Sequence, residues 1–349
     1  MNRTHLVTSL ILAGSSLLAG CGNVPLTGSG DLANGAALQH DTETAQVAFS
    51  TGDSDSNASA RYEVQATTGT TSPAIAWVTS RAVAAGVTYH TYTSAAARSP
   101  VSYHVYRPSA YTQFPTRRFP VLYWLHGSDS VVQGIPQVAS FFDAAIRSGK
   151  IPPMLIVFPN GLAHGQYVNS KDGKQPIETM ITRELLPLVD RSFRTIATRQ
   201  GRIVEGFSMG GYGAARLGFR YPDLFGAVSM DAAGTLDLDF SGPRATANPE
   251  ERDEILRTAY GNDMAYYRAC SPITITALNA AALRGKQRVR QVVGDRDFVL
   301  SQNVAFHGHL DRLGIRHEFR TIAGVDHNCA KLLGGIGDAN WTFYRDATR

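Results

Sequence analysis

The sequence predicts an α/β fold, a mostly parallel central sheet with helices on both faces. Three observations predict it. Continuous apolar runs such as Val121-Leu-Tyr-Trp-Leu and Met154-Leu-Ile-Val-Phe read as strands buried on both faces, as parallel strands are. Segments with apolar residues at helical spacing lie between such runs. A Gly-x-Ser-x-Gly pattern, Gly206 to Gly210, falls where a short apolar run gives way to a helix-compatible segment.

Composition sets the bounds. The chain has 349 residues, 43% hydrophobic and 18% charged, enough for a substantial core in a globular domain. The net charge of +4 is mild and no basic run is interleaved with aromatics, which argues against a nucleic-acid partner. Met1 to His5 is a short basic start, followed by an apolar stretch, Leu6 to Leu18, of signal-peptide length. Leu18-Ala-Gly-Cys21 resembles the lipobox of bacterial lipoproteins. That resemblance implies cleavage after residue 20, lipidation of Cys21 and a membrane partner through the anchor. Gly22, rather than aspartate, favours the outer membrane. Residues 21–85 are rich in Gly, Ser, Thr, Ala and Asp and have little to bury, so they read as a flexible tether. The catalytic domain is expected over residues 86–349.

Within that domain the elements follow in order. Val87 to Tyr89 and Ser102 to Tyr106 alternate as two edge strands of an antiparallel hairpin. Val121–Leu125 is the first fully apolar strand, Val138 to Arg147 a helix and Met154–Phe158 the next strand. Ile181, Leu185, Leu186, Leu188 and Val189 mark a helix over Ile177 to Phe193. Ile203-Val204 leads into the Gly-x-Ser-x-Gly turn, and the helix after it ends near Tyr221-Pro222. Ala227–Met230 is a strand. Asp231 to Arg284 lacks a clear strand and reads as a helical insertion. Arg288–Val293 is a strand, Ser301–Leu313 a helix, His317–Ile322 the last strand and Asn340–Ala347 a closing helix.

The turn carries the chemistry. A serine at the tip of so sharp a turn sits in a strained conformation, and Gly206 and Gly210 are required because the turn leaves no room for a side chain. The helix after Ser208 aims its first N–H groups at the reacting oxygen. A serine hydroxyl needs a base and a group to hold that base. The loops after the last two strands supply both, as expected of groups gathered at strand carboxyl ends. Gly294-Asp-Arg-Asp297 offers two acids, with Asp297 favoured at the turn tip and Asp295 as the alternative. Ala323-Gly-Val-Asp-His327 offers the base, His327. The developing negative charge needs two N–H donors. Met209 supplies one, and the loop His126-Gly127-Ser128 the other, from Ser128 with Gly127 in reserve; His126 supports that loop.

Leu125-His-Gly127, Phe158-Pro-Asn-Gly161, Glu184-Leu-Leu-Pro-Leu-Val-Asp190, Gly206-Phe-Ser-Met-Gly-Gly211, Gly294-Asp-Arg-Asp297 and Gly324-Val-Asp-His327 together resemble the Putative esterase family of α/β-hydrolases. That family includes feruloyl esterases, S-formylglutathione hydrolases, enterochelin esterases and mycolyltransferases. The resemblance spans nearly all of Tyr89 to Arg349. It implies the α/β-hydrolase fold and, in the family's pattern, an acid from Gly-x-x-Asp and a base from Gly-x-His. One extra residue separates Gly324 from His327 here, and Asn328-Cys329 stands where the family often has tryptophan. Tyr167-Val-Asn-Ser170 and Asp172-Gly173 are similar to a loop of the feruloyl-esterase-like members.

The expected function is therefore a serine carboxylesterase acting through an acyl-enzyme on small-molecule or polymer-linked esters, feruloyl esters among them. The alternatives are acyl transfer by the same triad and a non-catalytic surface-binding lipoprotein. No His-Glu-x-x-His, zinc-spaced cysteines or phosphate-binding glycine loop appears, so neither metal nor cofactor is expected. Export would place Cys270 and Cys329 in an oxidising compartment, where a disulfide between them is an open possibility.

Overall fold

The structure, a computed structural model, describes residues 74–237, 240 and 248–348. The expected signal sequence, Cys21 and most of the expected tether lie outside them. Eight strands form one sheet: β1 (Val87–Ser94), β2 (Ser99–Tyr106), β3 (Val121–Leu125), β4 (Leu155–Pro159), β5 (Arg202–Phe207), β6 (Ala227–Asp231), β7 (Arg288–Gly294) and β8 (Glu318–Ile322), in the order β1-β2-β4-β3-β5-β6-β7-β8. The hairpin and the β2–β4 pair are antiparallel, and the pairs from β4 through β8 are parallel. This is the α/β-hydrolase architecture.

The helices are α1 (Ala110–Gln113), α2 (Ile135–Arg147), α3 (Ile177–Thr179), α4 (Leu186–Ser192), α5 (Met209–Arg220), α6 (Pro249–Tyr260), α7 (Met264–Cys270), α8 (Pro272–Leu283), α9 (Leu300–Arg312), α10 (Cys329–Gly335) and α11 (Ala339–Ala347). A π-helical segment, Met180–Leu185, joins α3 to α4, so the helix expected over 177–193 is continuous but not uniform. None of the described helices is long and apolar enough to cross a membrane.

Strands β3 and β4 are buried at every position, which is why they read as unbroken apolar runs. One large core cluster joins Leu122, Trp124 and Ile156 of the sheet to Val138 and Phe142 of α2 and to Trp341 and Tyr344 of α11. A second, smaller one gathers Val292 and Val293 of β7 with Val299, Leu332 and Ile336 beneath the loops that end β7 and β8. Between the layers sits a buried charge. The Arg290 guanidinium on β7 pairs with Glu205 on β5 at 2.9 Å, both side chains fully buried, and donates to Ser229 and Tyr344 at 3.0 Å each. Neighbouring Asp231 has its carboxyl held well above the ordinary range, first by burial and then by the Glu205 charge. Glu178 of α3 ties that helix to α5 through Arg216 and, at 3.0 Å, Arg220. Burial opposes ionisation of Glu178, but Arg216 and Arg220 outweigh it and hold the carboxyl below its ordinary value.

Two expectations are corrected, one helix is new and one open question is answered. β2 is not an edge strand, because β4 pairs along its other side; β1 alone forms that edge, and β2 is buried from Val101 onward. Residues 76–85 belong to the folded domain rather than the tether. Trp77 is buried, its carbonyl and that of Ala76 accept from Asn160 Nδ2 at 2.9 Å, and Ala82 N–H donates to His104 Nε2 at 3.0 Å. Burial lowers the His104 pKa to about 4, keeping its ring neutral as that acceptor. α10 follows the last strand's loop directly and went unanticipated. Cys270 and Cys329 form no disulfide. Cys329 packs against the Trp124–Phe142–Trp341 cluster, of which Cys270 is not a member; Cys270 ends α7 in the inserted helices.

Candidate active site

Ser208 sits between the last residue of β5 and the first turn of α5. Its backbone, φ 57° and ψ −117°, is one that L side chains rarely adopt. The strain is held by packing and hydrogen bonds. Ser208 N–H donates to the Asp231 carbonyl at 2.9 Å, and its own carbonyl accepts from Gly234 N–H at 3.1 Å and Tyr212 N–H at 3.0 Å. A Cβ on Gly210 would stand 1.9 Å from the Leu125 carbonyl oxygen, and one on Gly206 would stand 2.5 Å from Gly210 carbon. The two glycines are thus required by the neighbouring β3 terminus as well as by each other.

The partners converge from the loops after β7 and β8. His327 Nε2 lies 2.9 Å from Ser208 Oγ. His327 Nδ1 lies 2.9 Å from each carboxylate oxygen of Asp297. Nδ1–H therefore donates to Asp297, leaving Nε2 to accept from the serine hydroxyl. Asp297 is 6% exposed and also accepts from Val299 N–H at 3.0 Å, which fixes its orientation. Asp295 faces elsewhere: it accepts from Gly324 N–H at 2.7 Å and so joins the two loops that carry Asp297 and His327. The aspartate nearer the strand end is a brace, and the one at the turn tip meets the histidine.

Two aromatic rings hold the imidazole. Phe207 lies 4.7 Å and Phe298 4.5 Å from it, centroid to centroid. Sequence reasoning passed over both, although one immediately precedes Ser208 and the other immediately follows Asp297.

His126 supports its loop as expected. Its Nε2 accepts from Gly161 N–H at 3.1 Å, so Nδ1 carries the proton and donates to the Gly127 carbonyl at 2.8 Å. Tyr167, fully buried, donates to the His126 carbonyl at 3.0 Å. Burial lowers the His126 pKa to about 4, so the ring is neutral at physiological pH.

Two cavities meet at the triad. One, about 300 Å³, is lined by Ser208, Met209, Gly127 and Ser128 and by the polar groups of Asp129, Gln166, Thr235 and Glu251. The other, about 290 Å³, has an apolar wall of Trp124, Val131, Ile135, Val138, Phe158 and Cys329. Gly127, Ser130, Phe207 and His327 line both. At the polar mouth His164 gathers three carboxylates, Asp129 at 3.3 Å, Glu254 at 3.7 Å and Glu251 at 3.8 Å. The latter two lie on α6, so the insertion does shape the site. No metal-holding cluster lies at the triad among the described residues.

A strained serine on a strand-to-helix turn, hydrogen-bonded to a histidine held by an aspartate, defines the serine hydrolases of the α/β-hydrolase fold. The chain belongs to the family described as "Putative esterase", whose model matches residues 94–305. It is 37% identical over 132 residues to the esterase Rv1288 of Mycobacterium tuberculosis, covering 36% of this chain and 27% of that protein. It is 32% identical over 136 residues to an endo-1,4-beta-xylanase/feruloyl esterase of Xylanibacter ruminicola, covering 37% of this chain and 18% of that one. The chain thus spans about a quarter or less of the length of these curated relatives. Among solved structures it superposes on a ferulic acid esterase with a TM-score of 0.61 at 27% identity, over 74% of this chain and 97% of that one. An S-formylglutathione hydrolase from Agrobacterium tumefaciens shares the fold, with a TM-score of 0.62 at 17% identity over 77% of this chain and 99% of that one.

Proposed function

We propose that the protein is a serine carboxylic-ester hydrolase, exported and held to the outer membrane by a lipid on Cys21. The observation that carries the catalytic reading is the continuous hydrogen-bonded run from Asp297 through His327 to Ser208. Ser208 Oγ attacks the ester carbonyl carbon while His327 Nε2 takes its proton, and Asp297 holds the imidazolium. The carbonyl oxygen, now negative, is received by the N–H groups of Met209 and Ser128. The intermediate collapses, the alcohol oxygen takes the proton from His327, and water repeats the sequence to release the acid.

The two cavities favour an ester with unlike arms. The apolar one is large enough for a single substituted aromatic ring, as in a feruloyl group. The polar one presents carboxylate, amide and hydroxyl groups suited to a polyhydroxylated alcohol such as a sugar. The ferulic acid esterase among the structural relatives and the feruloyl esterase named among the curated ones support the same class.

The test is turnover of 4-nitrophenyl acetate, methyl ferulate and a feruloylated arabinoside by the purified protein beside Ser208→Ala. Expected is serine-dependent hydrolysis of all three, with the sugar ester having the highest kcat/KM. Absence of serine-dependent turnover on every ester would overturn the esterase reading, and hydrolysis of nitrophenyl acetate alone would remove the feruloyl class. For the anchor, Cys21→Ser should release the protein from membranes into the soluble fraction; retention of the variant on membranes would overturn that assignment.

A further inference from the structure

Outside the catalytic site, one cluster of potential metal-binding side chains occurs among the described residues: His307, Asp311 and His317. We propose that these three residues form a binding site for a divalent transition ion of the zinc type, clipping the end of α9 to the start of β8. The proposal does not rest on the esterase reading.

The spacing is set by local structure. His307 and Asp311 are four residues apart on α9 and so share one face. The chain then turns at Gly314, φ +66°, and brings His317 back to that face just before β8. One ligand atom from each residue can be chosen so that all three lie within 4.8 Å of one another. An ion with bonds of about 2.0–2.2 Å needs ligands no more than about 4.4 Å apart, so small side-chain rotations close the site.

The rings are prepared for coordination. His317 Nδ1 lies 2.8 Å from the Ile315 carbonyl and donates to it, which leaves the Nε2 lone pair facing the cluster. The His317 side chain is 1% exposed and cannot turn away. The His307 ring lies flat on Phe319, 4.4 Å away with 5° between the planes. Its Nδ1 faces His317 Nε2 at 2.7 Å and its Nε2 faces Asp311 at 3.5 Å; one ion takes only Nδ1, so the exposed Asp311 carboxylate must turn toward the His317 side to join it. In the metal-free form His307 Nδ1–H donates to His317 Nε2; a bound ion replaces that proton, which leaves to solvent, as the two nitrogens part to the roughly 3.3 Å that a tetrahedral ion requires. Two imidazoles and one carboxylate suit zinc, cobalt, nickel or copper, whereas magnesium and calcium prefer oxygen alone. Asp311 is exposed, so ions can enter and water can complete the shell.

The location gives the site a purpose. α9 begins just beyond Asp297, and β8 leads into the loop that ends at His327. β8 is the last strand of the sheet, and none of its residues is fully buried. An ion bridging the far ends of these two elements would hold together the segments that present the acid and the base.

The test is titration of the chelator-stripped, untagged protein with Zn²⁺ by calorimetry and with Co²⁺ by visible absorption, beside His307→Ala and Asp311→Ala. Both substitutions are at partly exposed positions away from the triad. Expected are one ion per chain, a ligand-field band of a nitrogen- and oxygen-coordinated cobalt, and a rise in Tm with Zn²⁺. Each variant should bind at least 10-fold more weakly and lose the Tm rise, while its metal-free hydrolysis of nitrophenyl acetate stays that of the parent. Absence of stoichiometric binding, or binding unchanged in both variants, would overturn the site.

Discussion

At the scale of single residues the two aspartates of Gly294-Asp-Arg-Asp297 divide the work. Asp297 holds the Nδ1–H tautomer of His327, so on the proposed mechanism Asp297→Asn should lower kcat by about 10³- to 10⁴-fold with little change in Tm. Asp295 braces the two loops through Gly324 N–H, so Asp295→Ala should cost about 1 kcal/mol of stability and leave kcat within a few-fold. Parallel kinetics and thermal melts of the two variants check both; equal losses of kcat would show that the brace matters as much as the tautomer. His126 adds a pH dependence. Its folded pKa, about 4, is depressed from an ordinary value of about 6.5, because the buried ring is kept neutral. On acidification the unfolded chain takes up the proton first, so this contribution is present above pH about 6.5 and is lost as pH falls toward about 4. The loss is up to about 1.4 kcal/mol per pH unit in that window. Urea unfolding at pH 7 and pH 5 should show a smaller acid-induced drop in His126→Gln than in the parent.

Among the elements, the elbow and the buried pair under it are the least tolerant. Gly210→Ala would drive a methyl group into the Leu125 and His126 carbonyls, all of it backbone that cannot move aside. It should abolish soluble expression or cost more than about 3 kcal/mol, read by solubility and denaturant melts. Arg290→Met leaves Glu205 and Asp231 buried without their cation, and should cost about 3–5 kcal/mol by the same melts. How well each element could be read from the sequence follows its burial. β3 and β4 were legible because burial on both faces leaves an unbroken apolar run. β2 was misplaced as an edge because its alternating pattern, Ser102, His104 and Tyr106, resembles a half-exposed strand. His104 is in fact buried and paired with Ala82 N–H, a contact with residues assigned to the tether. α10 has only seven residues and ends in two glycines, too little for a periodic signal.

For the whole molecule, the sheet order brings Ser208, Asp297 and His327 together at the carboxyl ends of β5, β7 and β8 and leaves unlike cavities on either side of His327. Cys329 lines the apolar one. Cys329→Trp, by filling that cavity, should therefore raise KM for methyl ferulate by about 10-fold or more while leaving nitrophenyl acetate turnover within about 2-fold, since even one misfit methylene in an apolar pocket costs roughly 1–3 kcal/mol. Steady-state kinetics on the two substrates is the check, and equal effects on both would place the aromatic arm elsewhere.

The sequence by itself determined the α/β class, the strained serine, its two glycines and the histidine loop that meets it, because each is encoded within a few contiguous residues. Tertiary structure decided which aspartate meets the histidine, which rings clasp it, where the domain starts and how the two cavities divide. Those facts depend on distances between segments far apart in the chain: His327 meets Ser208 across 119 residues and Asp297 across 30. Local periodicity carries no information about such separations; the order in which the strands pair does.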